Sequence, residues 1–423
     1  MLSNLRRPDR PIYYGWIMLV AVSCTEVVSW GILYYAFSVF VAPMQAELGW
    51  STVALSGAYS LALLCSGLAA VPVGLWVDRH GPRLLMTVGS LLATLLVLAW
   101  SQVSSLTAFY LIMAGVGLVS AAVLYEPAFA IVAVWFRHQR GRALAVLTFF
   151  GAWASFLFIP LSAWLVTALG WRQALLALAV ILAAITIPVH ALILRRRPED
   201  LGLRPDGAPL VVDQLGPRVT PERSISTATA LRESRFWLLT FAFAASTLAS
   251  VTMTVHLIPY LTAGGHSSGF AALVAGLFGL MSLIGRLTIG LLGERYTRRW
   301  VTAGLLLMQL VGLGVLGVAG STAAGALIYV ALFGAGAGTL TIMRAALLAE
   351  HYGPASYATI NGAQSLALTG AKTAAPVGAG LLISLLGSYA LLFWGLVALL
   401  ALGTLAVLLA HEVVSEQTAA TAD

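Results

Sequence analysis

Charged residues are scarce in this chain. Of its 423 residues, Lys, Arg, Asp and Glu make up 9%, whereas the hydrophobic residues make up 60%. A soluble domain of this length needs roughly a quarter of its residues charged to cover its surface. The composition therefore excludes a soluble globular protein and indicates a chain that is solvated mainly by lipid.

Residues that support enzyme chemistry are also few. The two cysteines, Cys24 and Cys65, both fall inside apolar segments, so neither a disulfide framework nor a zinc site is indicated. No histidine pair has metal-ligand spacing on one helix face, which argues against an intramembrane protease. The segment Gly370-Ala-Lys372-Thr lacks the glycine directly before lysine that a phosphate-binding loop requires. We therefore expect no enzymatic activity, no cofactor and no metal.

Long apolar segments are what the sequence does contain. Each is long enough for the roughly 20 helical residues that cross a bilayer core, and in lipid such segments must be helical to satisfy their backbone polar groups. Numbered in chain order, the twelve predicted spans cover approximately residues 14–44, 52–77, 83–101, 105–136, 139–169, 172–194, 235–263, 268–293, 299–319, 322–350, 355–386 and 388–410. The first is too long for a cleavable signal peptide and lacks a clear small-residue cleavage site.

The positive charges are distributed asymmetrically. Of the 23 Lys and Arg residues, 19 lie before span 1, in the loops between spans 2–3, 4–5 and 8–9, or between Arg195 and Arg235. Threading the chain through a membrane places all of these on one side, and the opposite loops contain only Arg172. By the positive-inside rule, both termini are predicted to be cytoplasmic in a cell inner membrane. The cations thus indicate orientation in a lipid bilayer, and no nucleic-acid partner is expected.

The spans fall into two related halves. A polar segment with five prolines separates spans 6 and 7, which predicts a six-helix bundle at residues 1–194, a linker at 195–234, a second bundle at 235–411 and a cytoplasmic tail at 412–423. Gly74 to Arg83 after span 2 is echoed by Gly290 to Arg299 after span 8. Paired halves of this kind predict alternating access by rocking about a site near the midplane.

The loop after span 2 carries a family resemblance. The segment Gly74-Leu-Trp-Val-Asp78-Arg79-His-Gly81-Pro-Arg83 resembles the loop 2–3 signature of the major facilitator superfamily, and the resemblance covers all twelve spans. It implies an all-α membrane protein with twelve transmembrane helices in two pseudo-symmetric six-helix bundles, acting as a monomer. Gly74, Asp78, Arg79, Gly81 and Arg83 would form a cytoplasmic gate, in which Asp78 accepts bonds from helix-end amides and nearby arginines. Ordinary membrane anchoring is the alternative, and it explains the cations but not the glycines and the acid.

Six ionisable residues lie inside predicted spans. Such residues are costly in lipid and are therefore candidates for function. They are Glu26 in span 1, Glu126 in span 4, His256 in span 7, Arg286 in span 8, Arg344 in span 10 and Lys372 in span 11. The resemblance implies that spans 1, 4, 7 and 10 line the transport cavity. Two glutamates against three cations leave one positive charge over, which favours an anionic substrate because an unpaired buried cation is costly.

The cations and Glu126 have alternative interpretations. Arg286 suits bidentate binding of a substrate carboxylate, or else forms a structural ion pair with Glu26 or Glu126. Lys372 is the only lysine in the chain, which suggests a need for a compact ammonium group or is due to chance. Glu126 precedes Pro127 and so lies at a predicted kink. It could pair with Arg344 across the two halves, either statically or in a pair that breaks during transport.

The remaining candidate residues could carry a coupling proton or contact the substrate. Glu26 or Glu126 could carry a coupling proton, because burial favours the protonated form of a carboxyl group. His256 is titratable near neutrality and could bind substrate or a proton, although a histidine on a helix is more often a satisfied core residue. Tyr125, beside Glu126, offers a hydroxyl group to the site.

Within the superfamily, the sequence is similar to the monocarboxylate transporter and oxalate/formate antiporter group. Tyr14-Gly15-Trp16, the stretch from Trp135-Phe136 to Ala143, and Gly285-Arg286 carry this resemblance. It implies that Arg286 holds the substrate carboxylate, that Lys372 matches the span 11 lysine of oxalate exchangers, and that His256 matches the span 7 histidine of bacterial lactate carriers. The chain departs from the animal carriers at Ser282, where they have an acid, and in span 1, where they have a lysine and this chain has Glu26.

These features predict a secondary active transporter of a small organic anion, either a mono- or a dicarboxylate, that works by proton symport or by exchange with a counter-anion. Arg286 and Lys372 would hold the carboxylate ends, and His256, Tyr125 and Arg344 would line the site.

The alternative is proton-coupled efflux of a drug or a toxic oxyanion. Span 5, at Gly151 to Pro160, lacks the glycine pattern of proton–drug antiporters, which weakens only the drug version. A receptor would need a partner surface, and only the linker could provide one.

Overall fold

The architecture is almost entirely helical. The computed structural model describes residues 13–207, 212–213, 216–217, 224–292, 296–386 and 389–420. Within these ranges, the linker contains a two-residue antiparallel pair, Val212–Asp213 with Gly216–Pro217, and an isolated bridge residue, Leu203. Two short 3-10 turns, Pro198–Leu201 and Pro205–Gly207, precede the antiparallel pair.

The first half contains the six predicted spans, two of which are interrupted helices. Span 1 is α1 (Tyr14–Trp30) and α2 (Phe37–Leu48), joined by a π-helical turn at Gly31–Tyr35; spans 2 and 3 are α3 (Thr52–His80) and α4 (Pro82–Ser101); span 4 is α5 (Leu106–Val123) and α6 (Tyr125–Trp135); spans 5 and 6 are α7 (Arg140–Leu169) and α8 (Trp171–Leu192). The break in span 4 falls at Leu124, because Pro127 has no N–H to bond to the Val123 carbonyl and its ring would clash with that carbonyl in a continuous helix. The predicted kink is therefore present.

The second half repeats the arrangement with uninterrupted helices. After a short α9 (Thr227–Ala230), spans 7 to 12 are α10 (Ser234–Ala263), α11 (Ser268–Leu292), α12 (Arg298–Ala319), α13 (Ala323–Tyr352), α14 (Tyr357–Leu386) and α15 (Tyr389–Ala420). The last helix continues into the predicted polar tail. The echo of the span 2–3 motif includes Gly293, Glu294 and Arg295, which lie outside the described residues.

The length and hydropathy of the helices define a multi-pass membrane protein. Ten described segments, corresponding to spans 1–7, 9, 10 and 12, are long and apolar enough to cross a bilayer. Span 8 contains a shorter apolar stretch, Leu273–Thr288, and span 11 is a 30-residue helix. The twelve-span prediction is thus matched by a helix at every position.

Glycines allow the two halves to meet along spans 2 and 11. A Cβ atom on Gly74 would overlap the Ala358 carbonyl oxygen, and one on Gly362 would overlap that of Ala70. Farther along the same helix pair, Gly67 lies against the Thr369 side chain. Small residues let membrane helices approach to backbone contact, and this line of glycines fixes where the two bundles touch.

The end of the first bundle that lies away from Asp78 is held together by one arginine. Arg172 donates from Nε to Glu47 Oε1 (2.9 Å) and from its two terminal nitrogens to the Ser101 and Val103 carbonyls (2.8 and 3.0 Å). Trp171 Nε1 donates to the other Glu47 oxygen at 2.5 Å. Spans 1, 3 and 6 are thereby joined at this end, which gives the single cation of these loops a structural task.

The linker begins by packing against the first bundle. Asp206 accepts hydrogen bonds from the backbone amides of Arg137, His138 and Gln139, ahead of the first turn of span 5, the closest at 2.7 Å. The neighbouring Tyr13 hydroxyl donates to the Trp135 carbonyl at 2.7 Å. Burial and the nearby Asp206 carboxylate raise the pKa of Tyr13, so its phenol remains a hydrogen-bond donor. The linker therefore extends the surface of the first half.

Candidate functional site

A cavity of about 1170 Å³ lies between the two bundles. Spans 1, 2, 4 and 5 of the first half and spans 7, 8, 10 and 11 of the second half all contribute to its wall. Each half thus supplies the same four helices in its own order. This is the arrangement expected for a central transport site in a protein with two related halves.

The cavity lies to one side of the contact between spans 2 and 11. On span 2, the residues that line it lie between Tyr59 and Gly67, and on span 11 they lie between Ser365 and Lys372. The stretch toward Asp78 and Ala358 is in helix-to-helix contact instead. The two halves are therefore closed together at the Asp78 end of the cavity.

Four acidic or basic side chains line the cavity. They are Glu126, Arg286, Arg344 and Lys372. Among the described residues, no ion pair joins a carboxylate to any of these three cations. The predicted Glu126–Arg344 pair is not formed in this conformation. The cavity wall therefore carries three positive groups and one negative group.

Arg286 joins three helices at the cavity wall. Its Nε donates to the Gly338 carbonyl of span 10 at 3.1 Å, and its Nη1 donates to the Thr148 carbonyl of span 5 at 2.7 Å. The Tyr125 hydroxyl lies beside the guanidinium. Gly151 makes this position possible, because a Cβ atom there would overlap the Tyr125 hydroxyl. The guanidinium has five N–H donors, so donors remain for a ligand in the cavity.

Arg344 and Lys372 form a second positive group on spans 10 and 11. Arg344 is buried, with 9% of its surface exposed, and its Nη1 donates to Ser365 Oγ at 3.1 Å. Lys372 is exposed to the cavity, within electrostatic range of Arg344 and Glu126. Glu126 lies in the first turn of α6 and is half-buried. The two cations of the second half can hold a small anion, and Glu126 of the first half lies across from them.

Glu26 lies behind the cavity wall. Its side chain has no exposed surface, and both carboxylate oxygens lack a hydrogen-bond partner. It is one helical turn from Trp30, which lines the cavity, and within electrostatic range of Glu126. A buried, unpaired carboxylate is far costlier than a buried carboxylic acid, which makes Glu26 a candidate for holding a proton.

The structure does not bring His256 to the cavity. It lies nine residues after the cavity-lining Thr247, which is two and a half helical turns and places it on the opposite face of span 7. Its ring is 6.3 Å from that of Tyr389 in span 12, and its Nε2 is buried without a partner. The expectation that His256 contacts substrate therefore needs correction: in this conformation it packs between spans 7 and 12.

Asp78 joins the two halves through the start of span 11. Its Oδ1 accepts from the Ala358 amide at 3.0 Å, and its Oδ2 accepts from the Thr359 amide and hydroxyl at 2.8 and 2.6 Å. These amides belong to the first turn of α14, so an acid of one half caps a helix of the other half.

The arginines of the predicted gate have other contacts. Arg83 Nε donates to the Ala191 carbonyl at 2.8 Å. The Arg79 carbonyl accepts from Arg196, whose side chain also packs over Gly81. Gly81 itself has a φ of 81°, which favours glycine. Arg83 thus binds a carbonyl of span 6, whereas Arg79 accepts a bond at its carbonyl from the linker. Among the described residues, the inter-half bonds of this motif come from Asp78.

Sequence reasoning missed a group of aromatic residues in the wall. Trp30, Tyr34, Tyr35 and Tyr59 all line the cavity together with Tyr125. The pattern Trp30-x3-Tyr34-Tyr35 was available as a signal, but the π-helical turn that orients it could not be read from apolar periodicity.

Two bundles surround a central charged cavity and are joined at one end by a helix cap between the halves. This is the architecture of a membrane transporter. A profile of the Major Facilitator Superfamily matches residues 22–270, and the chain belongs to this superfamily.

Relatives and solved structures agree with this assignment. The chain is 26% identical to monocarboxylate transporter 13 of Bos taurus over 66% of this chain and 62% of that protein, so the match spans less than two thirds of that relative. It is 24% identical to an MFS-type transporter of Gibberella moniliformis over 91% of this chain and 87% of that relative. It is 30% identical to the riboflavin transporter RibJ of Trypanosoma brucei brucei over 46% of this chain and 36% of that relative. The transporter FucP in its outward conformation has the same fold, with a TM-score of 0.72 at 15% identity over 94% of this chain and 99% of that chain.

Proposed function

We propose that this protein carries a small organic anion, a mono- or dicarboxylate, across the cell inner membrane by alternating access. The observation that carries this proposal is the charge of the cavity wall, where Arg286, Arg344 and Lys372 face a single acid, Glu126. Cations in a cavity surrounded by lipid need compensation, and an anionic substrate provides it. The name of the bovine relative, a monocarboxylate transporter, supports the same chemistry.

The two positive groups suggest how a carboxylate is bound. Arg286 is held rigidly by two carbonyls, so its planar donors are preorganised for a carboxylate, with the Tyr125 hydroxyl as a further contact. Lys372 contributes a compact ammonium group from span 11, close to Arg344. A monocarboxylate would bind at Arg286, and a dicarboxylate would reach both groups.

The transport cycle follows from the cap at Asp78. With both termini cytoplasmic, as the positive-inside rule predicts, the closed Asp78 end faces the cytoplasm and the cavity faces outward. Inward opening then requires Asp78 to release the first turn of span 11. The chain would act as a monomer, since both halves of the site are in one polypeptide.

Glu26 and Glu126 are the groups that we assign to coupling. Glu126 lines the cavity near Lys372 and can respond directly to a bound anion, whereas Glu26 is buried next to the wall and can hold a proton. Proton symport would use one of these acids. In anion exchange, the counter-anion would compensate the cations instead.

Ligand-dependent thermal stabilisation of the purified protein tests this proposal. We would add lactate, pyruvate, formate, oxalate, succinate and arsenite to wild type, to Lys372→Gln and to Arg232→Gln, an exposed cation outside the cavity lining. A ligand at about a hundred times its Kd adds roughly 2.7 kcal/mol of stability. We expect a carboxylate to stabilise wild type and Arg232→Gln, and to stabilise Lys372→Gln much less at the same concentration.

Counterflow in proteoliposomes then checks that binding leads to transport of the same compound. Stabilisation by arsenite alone would favour efflux of a toxic oxyanion. An equal response of Lys372→Gln and wild type to every carboxylate would remove Lys372 from the binding site.

A further inference from the structure

One wall of the cavity is a continuous set of aromatic rings. The ring centroid of Trp30 is 5.0 Å from that of Tyr34, 6.3 Å from that of Tyr35 and 5.1 Å from that of Tyr125. Tyr34 in turn is 5.8 Å from Tyr59 of span 2. All five residues line the cavity, so spans 1, 2 and 4 together present an aromatic surface to whatever occupies it.

The π-helical turn in span 1 creates this wall. In an α-helix, Trp30 and Tyr35 would point about 140° apart, because five residues make 1.4 turns. The π-turn closes with a bond from the Ala36 amide to the Gly31 carbonyl at 2.8 Å, which is an i to i+5 spacing. This spacing brings residues five apart onto nearly the same face, and such turns frequently occur at functional sites. The distortion has the effect of placing an additional ring in the cavity.

The aromatic wall adjoins the Arg286 guanidinium. Tyr125 packs against Trp30 through its ring and lies beside Arg286 through its hydroxyl. Tyr35 is also within electrostatic range of Arg286. A ligand whose carboxylate binds Arg286 thus has its remaining atoms next to aromatic faces and edges.

The size of the cavity also bears on the ligand. A volume of about 1170 Å³ is above the usual range of roughly 300–1,000 Å³ for small-molecule pockets. A two- or three-carbon acid bound at Arg286 would leave most of the aromatic wall without a contact. A ring attached to the carboxylate would fill this space and bury the ring faces.

We propose that the carboxylate carried by this protein bears a planar aromatic ring, which lies against Trp30, Tyr35 and Tyr125 while its carboxylate binds Arg286. This inference rests on the proposed function, because it names the class of carboxylate bound at the same site. The inference predicts different affinities for aromatic and saturated acids of equal charge. Aromatic pairs gain from edge and face contacts, whereas a saturated ring of the same size gains only from apolar burial.

Matched pairs of acids provide the test. Isothermal titration of the purified full-length protein would compare benzoate with cyclohexanecarboxylate and phenylacetate with cyclohexylacetate, with lactate and acetate as acids without a ring. We expect each aromatic acid to bind about three- to tenfold more tightly than its saturated partner, which corresponds to about 0.6–1.4 kcal/mol. Apolar burial alone predicts the reverse order, because the saturated rings are more hydrophobic.

Three variants locate the effect. Tyr35→Leu should reduce the preference for the aromatic acid over its saturated partner to less than about twofold. Tyr35→Phe, which keeps the ring, should retain the preference. Phe241→Leu, an exposed ring of span 7 outside the cavity lining, should behave like wild type.

The outcomes separate this inference from the function on which it rests. Equal or tighter binding of the saturated acids, or binding of only lactate and acetate, would overturn the aromatic assignment and leave the carboxylate function intact. Failure of all of these acids, and of oxalate and succinate as well, to bind would overturn both. The wild-type titrations decide these cases even if a variant does not fold.

Discussion

At the scale of single residues, the acids of the first half show how position determines cost. Glu47 lies at the C-terminal end of span 1, half of its side chain is exposed, and it bonds to Arg172 and Trp171. Glu26, five to six helical turns earlier in the same span, is fully buried without any hydrogen bond to its carboxylate. Burying an unpaired charge is so unfavourable that the neutral form of Glu26 has the lower free energy at this position. The sequence places Glu26 inside span 1 and Glu47 beyond its predicted end, and the fold adds the partners that Glu47 has and Glu26 lacks.

Replacing each of the two inner acids by its amide tests which one couples protons. We expect Glu26→Gln to keep the thermal stability of wild type, because the amide has the shape of the protonated acid, and to make anion uptake independent of an imposed pH gradient. Uptake into proteoliposomes with and without the gradient measures this. Glu126→Gln is the comparison, and loss of the gradient effect there but not in Glu26→Gln would assign the proton to Glu126.

At the scale of elements, the contact between spans 2 and 11 depends on glycines, which have no side chain to separate the helices. Gly74 and Gly362 meet backbone of the opposite helix, so the two helices approach more closely than any other residue would permit. Asp78 then reaches the amides at the start of span 11. The close approach and the cap belong together, since a wider separation would take the carboxylate out of hydrogen-bond range.

Adding one methyl group tests this contact. Gly74→Ala should destabilise the conformation closed at this end by about 1–3 kcal/mol, as overpacking does, because the Cβ atom would overlap the Ala358 carbonyl oxygen. The melting temperature of the purified protein should fall. Gly304→Ala in span 9 is the matched control, since a Cβ atom there meets nothing within 4 Å. A similar melting temperature for both variants would contradict the proposed role of Gly74.

At the scale of the whole molecule, the proposed alternating access requires the two bundles to change their relative position. In this structure the cavity is closed at the Asp78 end. Asp78 bonds to the Ala358 amide of the other half, and Arg286 bonds to the Thr148 carbonyl of the other half. Alternating access predicts that these bonds break in each cycle. A molecule that cannot break them would bind substrate from one side without releasing it on the other.

A reversible cross-link tests this motion. In a background with Cys24→Ser and Cys65→Ser, the pair Asp78→Cys and Thr359→Cys replaces two side chains that already bond to each other at 2.6 Å. Oxidation should abolish counterflow while anion binding remains, and a reductant should restore counterflow. Each single cysteine variant is a control for the loss of the cap itself. Counterflow by fully cross-linked protein would show that this end does not open during transport.

The sequence by itself determined the features that depend on local composition. Hydropathy predicts the spans, the chemistry of proline predicts the kink before Pro127, and the count of charges predicts that intramembrane charges have few partners. None of these needs knowledge of neighbouring helices. Of the six ionisable candidates, Glu126, Arg286, Arg344 and Lys372 line one cavity. Because charged side chains are costly in lipid, their presence inside predicted spans indicates that they face the protein interior.

Only the tertiary structure decided which helix faces meet. It directed His256 toward Tyr389 rather than into the cavity, buried Glu26 behind the wall, and gave Asp78 two amides of span 11 as partners. It also placed Tyr35 beside Trp30 through a π-turn. The physical reason is that helices which are apolar around most of their surface carry little periodic signal, so their rotation is set by close packing against other helices.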